Sequence, residues 1–343
     1  MNSSNSCHLC GSANTTTFFD LPPVPTMDGV MSATKHEALN VPRGKVELQF
    51  CADCSFIQNT GYEQSKVSFD TYDFANDYSP LFSKFIKELA HRLIDAYDIR
   101  SKQILEVASG DGHFLRTICA LGNNTGLGFD PGFSHEKSSN SDNGVRFIEK
   151  YYDERQKHLR PDLLVCRHLI NLIDTSKQFV QMIRRNLEES RDTLVYIEVP
   201  NAEYTFREKI YWNVGYEHGA WFTCTTLSSL MEICHFEVLD VFTCWNDEFI
   251  GVVGRPVEAK PREDFKISPN GIHEAVNHFS TDYLDLLSNK KRELMSGDFL
   301  DKKVVAWGAG ARAVTYFNVL ETNGTINYIV DININRQGKF LPG

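Results

Sequence analysis

Apolar residues recur at helical spacing between residues 79 and 99, and five of them fall on one face: Phe82, Phe85, Ile86, Leu89 and Leu93. Ser79 stands where an N-cap residue belongs, and Pro80 occupies the first helical position. The pattern therefore predicts a helix that begins at this pair of residues and leads into the next segment of the chain.

Short apolar runs typical of buried strands follow this helix and alternate with helical stretches. The runs cover residues 103–108, 125–130, 161–166, 193–199, 237–244 and 249–254. The alternation predicts an α/β fold with a doubly wound, Rossmann-like sheet, and the last two runs are close enough to form a β-hairpin-like pair.

A Gly-Asp-Gly turn lies between the first run and a helix expected to begin near His113. Gly110 and Gly112 allow the backbone to approach a ligand, and the N-terminus of the following helix favours negative charge. Asp130 ends the second run, eighteen residues after Gly112, where it can accept both ribose hydroxyls of an adenosine. A tight turn with no ligand is the alternative interpretation.

The third glycine of the dinucleotide fingerprint is missing from this turn. The order Glu-x-Ala-Ser-Gly-Asp-Gly followed by an acidic strand end is instead the pattern of S-adenosylmethionine-dependent methyltransferases. The residues predicted to contact this cofactor are Glu106, Gly110, Asp111, Gly112, Asp130, Pro131 and His168. His168 could equally be a core or capping histidine.

Four cysteines near the start form two Cys-x2-Cys pairs, Cys7 with Cys10 and Cys51 with Cys54. Two such knuckles supply the four soft, tetrahedral ligands that a structural zinc ion prefers, and they leave no open position for water. The proline-rich segment between them is too weakly periodic to build a core, so a bound metal explains how it folds. Four unrelated buried thiols are the alternative.

Composition narrows the classes of function that fit. A chain of 343 residues predicts two or three domains, and its net charge of −10 argues against a nucleic-acid partner. No apolar run is long enough for a transmembrane helix, and the start does not have the pattern of a secretory signal. Nine cysteines without such a signal predict a reducing, cytoplasmic location with no membrane partner.

Tyr216, Glu217 and His218 lie side by side among bulky aromatic residues between positions 212 and 222. A histidine is well matched to proton removal near neutral pH, and an adjacent carboxylate can orient its ring. Neighbouring residues of a strand point to opposite faces, so the two can pair only through an irregular turn. The alternative is a structural histidine that caps a helix beginning near Thr225.

With these features the chain resembles the sugar C-methyltransferases that have an N-terminal zinc-binding domain and act on nucleotide-linked keto-deoxysugars. The resemblance includes the cysteine knuckles, the glycine turn and four further motifs: "YDFANDYSP", "CRHLINLI", "EVPN" followed by "YEHGAWFT", and "VVAWGAGARAVTYFNVL" with "IVDININRQGKFLPG". The motifs depart from the family in three places. Gly215 stands where the family has a tyrosine, Phe74 replaces a second tyrosine, and Asn171–Leu172 replaces a Glu-His pair.

The resemblance implies a zinc-binding domain at 1–68, a class I methyltransferase domain at 69–256 and a C-terminal Rossmann-like domain at 257–343 that looks truncated. It also implies S-adenosylmethionine and structural zinc as cofactors, a nucleotide-sugar as substrate, and a monomer or weak homodimer. The catalytic residues it implies are His218, Glu217, Tyr216 and Tyr72, with His218 generating an enolate for C-methylation. An O- or N-methyltransferase, or a non-catalytic sugar-nucleotide-binding relative, stays open.

A second strand–glycine turn–helix pattern lies near the end of the chain. Gly308 and Gly310 precede a helical run, and Asp331 closes the next strand about 20 residues later. From the residues alone this could be a nicotinamide site, although Ala313 stands where a third glycine is expected. The family resemblance implies instead a Rossmann-like half that helps to hold a nucleotide-sugar, and a purely structural turn is the remaining possibility.

Overall fold

The computed structural model describes residues 6–70, 79–133, 144–258, 272–296, 299, 302–321 and 326–343. The chain groups into two compact units, each of them discontinuous in sequence. The first unit comprises residues 1–68, 202–221 and 268–343, and the second comprises residues 69–201 and 222–267. The three-domain division expected from sequence stays a prediction.

The β-strands of the described residues are, in chain order, β1 (Thr15–Pro25), β2 (Arg43–Cys51), β3 (Ile57–Asn59), β4 (Gln103–Val107), β5 (Thr125–Phe129), β6 (Val145–Ile148), β7 (Leu163–Arg167), β8 (Leu194–Pro200), β9 (Ala220–Trp221), β10 (Phe236–Cys244), β11 (Phe249–Pro256), β12 (Val304–Trp307) and β13 (Ile326–Val330). The α-helices are α1 (Lys35–Leu39), α2 (Pro80–Tyr97), α3 (His113–Gly122), α4 (Ser176–Asn186), α5 (Ala202–Arg207), α6 (Cys224–Ile233), α7 (Ile272–Met295) and α8 (Ala311–Leu320).

The second unit is built on a seven-stranded sheet with the order β10-β11-β8-β7-β4-β5-β6. Its five strands from β8 to β6 are parallel, whereas β11 runs antiparallel to β8 and pairs with β10 as a hairpin. The sheet confirms the predicted doubly wound, Rossmann-like fold. Strand order reverses at β4, whose neighbours are β5 and β7, and ligands of such folds bind at the carboxyl ends of the strands at this point.

Helix α2 begins as its sequence predicts. The Ser79 hydroxyl accepts a hydrogen bond from the Phe82 main-chain N–H, and Pro80 is the first helical residue. Phe85, Ile86 and Leu89 are buried on its apolar face, in a core shared with α3 and β4. The apolar stripe of α2 therefore covers one face of the sheet next to the switch point.

The first unit contains a second sheet, with the order β1-β2-β3-β9 and antiparallel pairing throughout. The expectation that the segment between the cysteine pairs cannot build a core is wrong, because Phe19 and Leu21 on β1 are fully buried. Phe19 packs edge-on against Phe279 and Tyr283 of α7, with ring centroids 5.2 and 4.7 Å away. The core partner of this strand thus lies about 260 residues further along the chain.

The first unit also contains the parallel pair β12–β13, which is joined through α8. Strand β11 extends to Pro256, and residues 259–271 lie outside the described residues. Over the residues described, no helix is both long enough and apolar enough to span a bilayer.

Candidate cofactor loop, thiol cluster and histidines

The Asp130 carboxylate binds two main-chain N–H groups where β5 ends. Gly110 N donates to Oδ2 and Gly132 N donates to Oδ1, both at 2.8 Å. The side chain is buried; this burial raises the pKa of Asp130, and the two N–H donors oppose the rise. Each oxygen retains a second lone pair, so the carboxylate can still accept hydrogen bonds from the two ribose hydroxyls, as the sequence predicts.

Two buried polar atoms beside this loop have no hydrogen-bond partner among the described residues. They are Oε2 of Glu106, on β4, and Oγ of Ser109, in the loop itself. Burial raises the pKa of Glu106 to about 8, and the nearby charge of Arg167 opposes the rise. An orphaned carboxyl and hydroxyl at a strand switch point fit a polar, cationic ligand such as S-adenosylmethionine.

The two glycines of the turn have different roles. Gly110 has a φ of 53° and Gly112 a φ of 84°, the left-handed region in which glycine is favoured. A Cβ on Gly112 would lie 2.2 Å from the Phe147 ring. Gly112 is therefore required because the Phe147 side chain of β6 lies against its backbone. Gly110 instead directs its N–H to the Asp130 carboxylate.

The remaining predicted cofactor residues of this loop are Asp111 and Pro131. Asp111 is exposed, and its Oδ1 accepts from His113 N at 3.3 Å at the start of α3. Pro131 follows Asp130 in the turn that returns Gly132 N to the carboxylate. Both lie at the carboxyl edge of the sheet, in the same turns as Gly110 and Asp130.

His168 immediately follows β7, and its Nε2 lies 2.9 Å from Glu198 Oε1. Glu198 is fully buried on β8, and it also accepts from Arg167 Nε at 2.9 Å and from the Tyr196 hydroxyl at 2.7 Å. Burial raises the pKa of Glu198, but the Arg167 charge and the bonds from His168 and Tyr196 outweigh it and lower the pKa to about 2. An ionised carboxylate thus orients a histidine at the edge of the sheet that also carries the Asp130 loop.

The four cysteine sulfurs predicted to bind metal form one cluster, in which all the Sγ atoms lie within 4.8 Å of one another. Cys7 Sγ is 3.5 Å from Cys54 Sγ, and Cys10 Sγ is 3.7 Å from Cys51 Sγ. A tetrahedron of zinc–sulfur bonds of about 2.3 Å places its sulfurs about 3.8 Å apart. The cluster therefore has the dimensions of a tetrahedral thiolate site.

Both cysteine pairs lie in the same kind of turn. Cys7 O accepts from Gly11 N and Cys51 O from Ser55 N, each at 2.8 Å, and both donors have positive φ. The two turns are braced across the cluster, because Asp53 accepts from the Ser12 hydroxyl and from the Asn14 amide, at 2.5 and 2.8 Å. The local backbone holds the sulfurs together with bonds that do not involve them.

Tyr216 and Glu217 form a turn ahead of β9 in the first unit. Tyr216 is fully buried; its hydroxyl accepts from Glu63 N at 2.9 Å, and its ring lies where a side chain on Gly44 would otherwise project. Such a position favours packing over proton transfer. Gly215, where the resembling family has a tyrosine, has no room for one, because its Cβ would lie 2.4 Å from Asp28 Oδ2.

Glu217 is buried, and its Oε1 accepts from the main-chain N–H groups of Asp28 and Gly29. His218 is half-buried, with its ring 5.4 Å from that of Trp221. It does not cap α6, because the N-cap of that helix is Thr223. Tyr72, the other residue nominated for catalysis, lies outside the described residues.

The second glycine turn repeats the contacts of the first. Asp331 Oδ2 accepts from Ala309 N at 2.6 Å, and Oδ1 accepts from Asn333 N at 2.7 Å. Arg336 lies 3.5 Å from the same carboxylate. Three residues that the sequence analysis did not name contact the predicted site residues: Glu198 and Arg167 beside His168, and Asp28 beside Glu217. Glu198 and Arg167 had a signal in the sequence, because they lie in the "EVPN" and "CRHLINLI" motifs.

Two family models match the chain. One, described as a methyltransferase domain, matches residues 75–241, and the other, described as a C-methyltransferase C-terminal domain, matches residues 270–343. With the sheet topology, the first match identifies the second unit as a class I methyltransferase fold. A search of curated proteins found no match.

Solved structures similar to the chain cover about half of it. A 1,6-didemethyltoxoflavin-N1-methyltransferase from Burkholderia thailandensis, solved with S-adenosylhomocysteine, is 15% identical, with 53% of this chain and 83% of that chain covered and a TM-score of 0.41. CalO1, a methyltransferase in calicheamicin biosynthesis, is 17% identical over 52% of this chain and 54% of its own, also at 0.41. The riboflavin-analogue dimethyltransferase RosA from Streptomyces davawensis is 17% identical over 51% and 56%, at 0.41.

Proposed function

We propose that the chain is an S-adenosylmethionine-dependent methyltransferase with a small-molecule substrate. The observation that carries the proposal is the Asp130 carboxylate, held by Gly110 N and Gly132 N at the switch point of a sheet that matches a methyltransferase domain. S-adenosylmethionine supplies an electrophilic methyl group on a sulfonium centre when it is bound. The Asp130 carboxylate accepts the ribose hydroxyls, and Glu106 provides negative charge for the cationic end of the donor.

Carbon is the acceptor atom that the proposal favours, because the C-terminal match is to a C-methyltransferase domain. A carbon nucleophile requires a base that removes a proton next to a ketone. His218 is the proposed base, carried by the turn that Glu217 fixes through Asp28 N and Gly29 N. A nucleotide-linked keto-deoxysugar is the proposed substrate, on the strength of the motif resemblance.

His168 is a second candidate for the base. Its Nε2 faces the buried, ionised Glu198, an arrangement in which a carboxylate fixes the tautomer and the ring orientation of a histidine. The Nδ1 atom is then the nitrogen that would take up a proton. Glu198 Oε1 lies 2.9 Å from His168 Nε2, and Glu217 holds the turn before His218 through Asp28 N and Gly29 N.

Single substitutions decide between the bases. If His218 is the base, His218→Ala lowers turnover by about 10² to 10⁴ and leaves the affinity for S-adenosylmethionine unchanged. His168→Ala in the same assay then retains turnover within about tenfold. The opposite ranking assigns the base to His168. Full turnover in both variants overturns the proton-transfer role of either residue.

Exchange of the substrate's α-proton with deuterated water separates carbon from heteroatom transfer. The assay uses a panel of nucleotide-linked keto-sugars, with product mass read after incubation with S-adenosylmethionine. Methylated product in which the carbon keeps its proton label rules out C-methylation and favours an O- or N-methyltransferase. Calorimetry that detects no S-adenosylmethionine binding leaves the non-catalytic, sugar-nucleotide-binding alternative.

The thiol cluster is proposed to hold one structural zinc ion through Cys7, Cys10, Cys51 and Cys54. Support comes from the sulfur separations of 3.5 and 3.7 Å and from the paired turns that brace them. Freshly purified protein is expected to contain about one zinc per chain, because sites of this kind bind with an apparent energy on the order of 10 kcal/mol or more. Less than half an equivalent contradicts the assignment.

A further inference from the structure

A buried aspartate in the first unit has no part in the cofactor or metal sites. Asp28 lies in the loop after β1, its side chain is almost wholly inaccessible, and its Oδ1 has no partner among the described residues. The loop reaches a turn that is distant in sequence: Asp28 N and Gly29 N both donate to Glu217 Oε1, the latter at 3.3 Å. Two main-chain donors therefore fix the glutamate that precedes His218.

The Asp28 carboxyl holds the same turn from its other side. Its Oδ2 lies 2.4 Å from the position that a Cβ on Gly215 would occupy, and it accepts from the Thr315 hydroxyl of α8 at 3.4 Å. Position 215 can only be glycine while the carboxyl stays there. One residue thus contacts three parts of the unit: the residue at which the turn begins, the glutamate within it, and a helix about 100 residues further on.

The Asp28 and Glu217 carboxyls are both buried and interact with each other, but their surroundings favour different protonation states. Glu217 receives two N–H donors, which favour its ionised form. Asp28 faces Gly215, the neutral Thr315 hydroxyl and the Glu217 carboxyl. Burial first, and the charge of Glu217 second, raise the pKa of Asp28 well above its ordinary value. Of the two carboxyls, Asp28 is therefore the one whose surroundings favour the neutral form.

We propose that Asp28 is a positioning residue for His218: its main chain fixes Glu217, and its carboxyl fills the space beside Gly215, so the turn has one conformation. The proposal rests on the proposed function in one respect, that His218 is the base. The side chain of Asp28 touches the turn and α8, so its effect on chemistry passes through the turn.

Gly215→Ala tests the positioning role of Asp28 without changing a polar group. The new methyl must displace the Asp28 carboxyl, because its φ is not in the left-handed region and the steric contact is the main perturbation. We expect about a tenfold loss of kcat, with an unchanged Kd for S-adenosylmethionine. Asp28→Ala is expected to lose a similar factor, since it leaves the turn room to move.

Asp28→Asn is the matched control, because it retains the shape and polarity of a neutral carboxyl. It should keep kcat within about threefold at pH 7. Wild-type activity is expected to fall at high pH as Asp28 ionises beside Glu217, and Asp28→Asn should lack that alkaline decline. A merely structural role of the side chain would leave the two pH profiles parallel.

Thermal unfolding gives a readout that does not depend on His218. A carboxyl with a raised folded pKa contributes stability that is lost as pH rises towards that pKa. The Tm of Asp28→Asn relative to that of the wild type should therefore increase as the pH rises above the ordinary pKa of an aspartate, about 3.9. Parallel Tm curves overturn the neutral-carboxyl assignment, whatever the fate of the catalytic proposal.

His218→Ala, assayed beside these variants, separates the two ideas. If it abolishes turnover while Gly215→Ala and Asp28→Ala keep both kcat and the wild-type pH profile, the positioning role is wrong and the base assignment stands. If His218→Ala retains full turnover, the base assignment fails and the positioning role fails with it.

Discussion

Two regions of the molecule, the Gly110 loop of the second unit and the Gly308 loop of the first, share a backbone design and differ in chemistry. In each, an aspartate at the end of the next strand accepts two main-chain N–H bonds, one from the glycine loop and one from the residue two positions after the aspartate. Each loop also makes a second main-chain bond to the same strand end, to the carbonyl of the residue that precedes the aspartate. Ser109 N donates to Phe129 O in the first loop, and Gly308 N donates to Val330 O in the second.

The differences lie in the side chains around the aspartates. Glu106 is the second-last residue of β4, and Ala306 has the same place in β12. The first loop therefore has a buried glutamate on the strand before it, where the second has an alanine. Asp331 faces the Arg336 guanidinium, whereas Asp130 accepts hydrogen bonds from the main-chain N–H groups of Gly110 and Gly132. An aspartate at a strand end thus stabilises the loop in both places. We expect the capacity of the first loop for a cationic methyl donor to depend on the Glu106 carboxyl.

The largest expected difference between the two loops is in the stability lost when a loop glycine is replaced by alanine. Gly112→Ala must adopt a φ of 84° and clashes with Phe147, so we expect a loss of about 2–4 kcal/mol in the free energy of unfolding. Gly308→Ala has a similar φ but nothing within 4 Å, and should lose only about 1–2 kcal/mol. Chemical denaturation of both variants measures the gap, and equal losses would show that the Phe147 contact carries no strain.

The second prediction concerns pH and Glu106, which has no counterpart in the other loop. With its pKa raised to about 8, the neutral carboxyl contributes stability that is lost as pH rises through that value. The free energy of unfolding of Glu106→Gln, relative to that of the wild type, should therefore increase by about 1–3 kcal/mol between pH 6 and pH 9. Ala306→Ser, the matched change in β12, should leave the pH dependence of the wild type intact.

The same carboxyl should link cofactor affinity to pH. A cationic ligand favours the ionised form, so S-adenosylmethionine binding should release a proton at pH 7 and tighten about threefold to tenfold between pH 7 and pH 9. Calorimetry in buffers of different ionisation enthalpy counts that proton. Glu106→Gln is expected to abolish both effects, and a wild-type affinity that is flat across this range would count against Glu106 as a ligand-facing group.

The smallest expected effect is at Arg336. Arg336→Ala removes the cation from Asp331 and so makes the second aspartate resemble the first. We expect a loss of about 1 kcal/mol or less in the free energy of unfolding, because the pair is 3.5 Å apart and only partly buried. No new S-adenosylmethionine site should appear in this variant. A second binding event would show that the arginine alone distinguishes the loops.

Local signals made the second unit predictable. The Ser79 cap and the apolar stripe of α2, the Gly110 turn and the hairpin of β10 and β11 all depend on residues near one another in sequence, and the structure has each of them. The thiol cluster could be predicted for the same reason, since each pair of ligands lies within one turn.

Long-range packing explains what sequence reasoning missed. Phe19 is buried against Phe279 and Tyr283 of α7, so β1 showed no partner of its own in the sequence. Asp28 reads as an ordinary turn residue in a proline-rich segment until the fold brings Glu217 to it from 189 positions away. A contact between buried carboxyls so far apart in the chain leaves no local pattern in the sequence.

The central claim is that S-adenosylmethionine binds at the Asp130 loop and not at the Asp331 loop. Titration calorimetry of the wild type, Asp130→Ala and Asp331→Ala tests it most directly. We expect one site per chain, an affinity at least about tenfold weaker in Asp130→Ala, since charge-assisted hydrogen bonds are lost, and no change in Asp331→Ala. An unchanged affinity in Asp130→Ala, or a loss in Asp331→Ala alone, would contradict it.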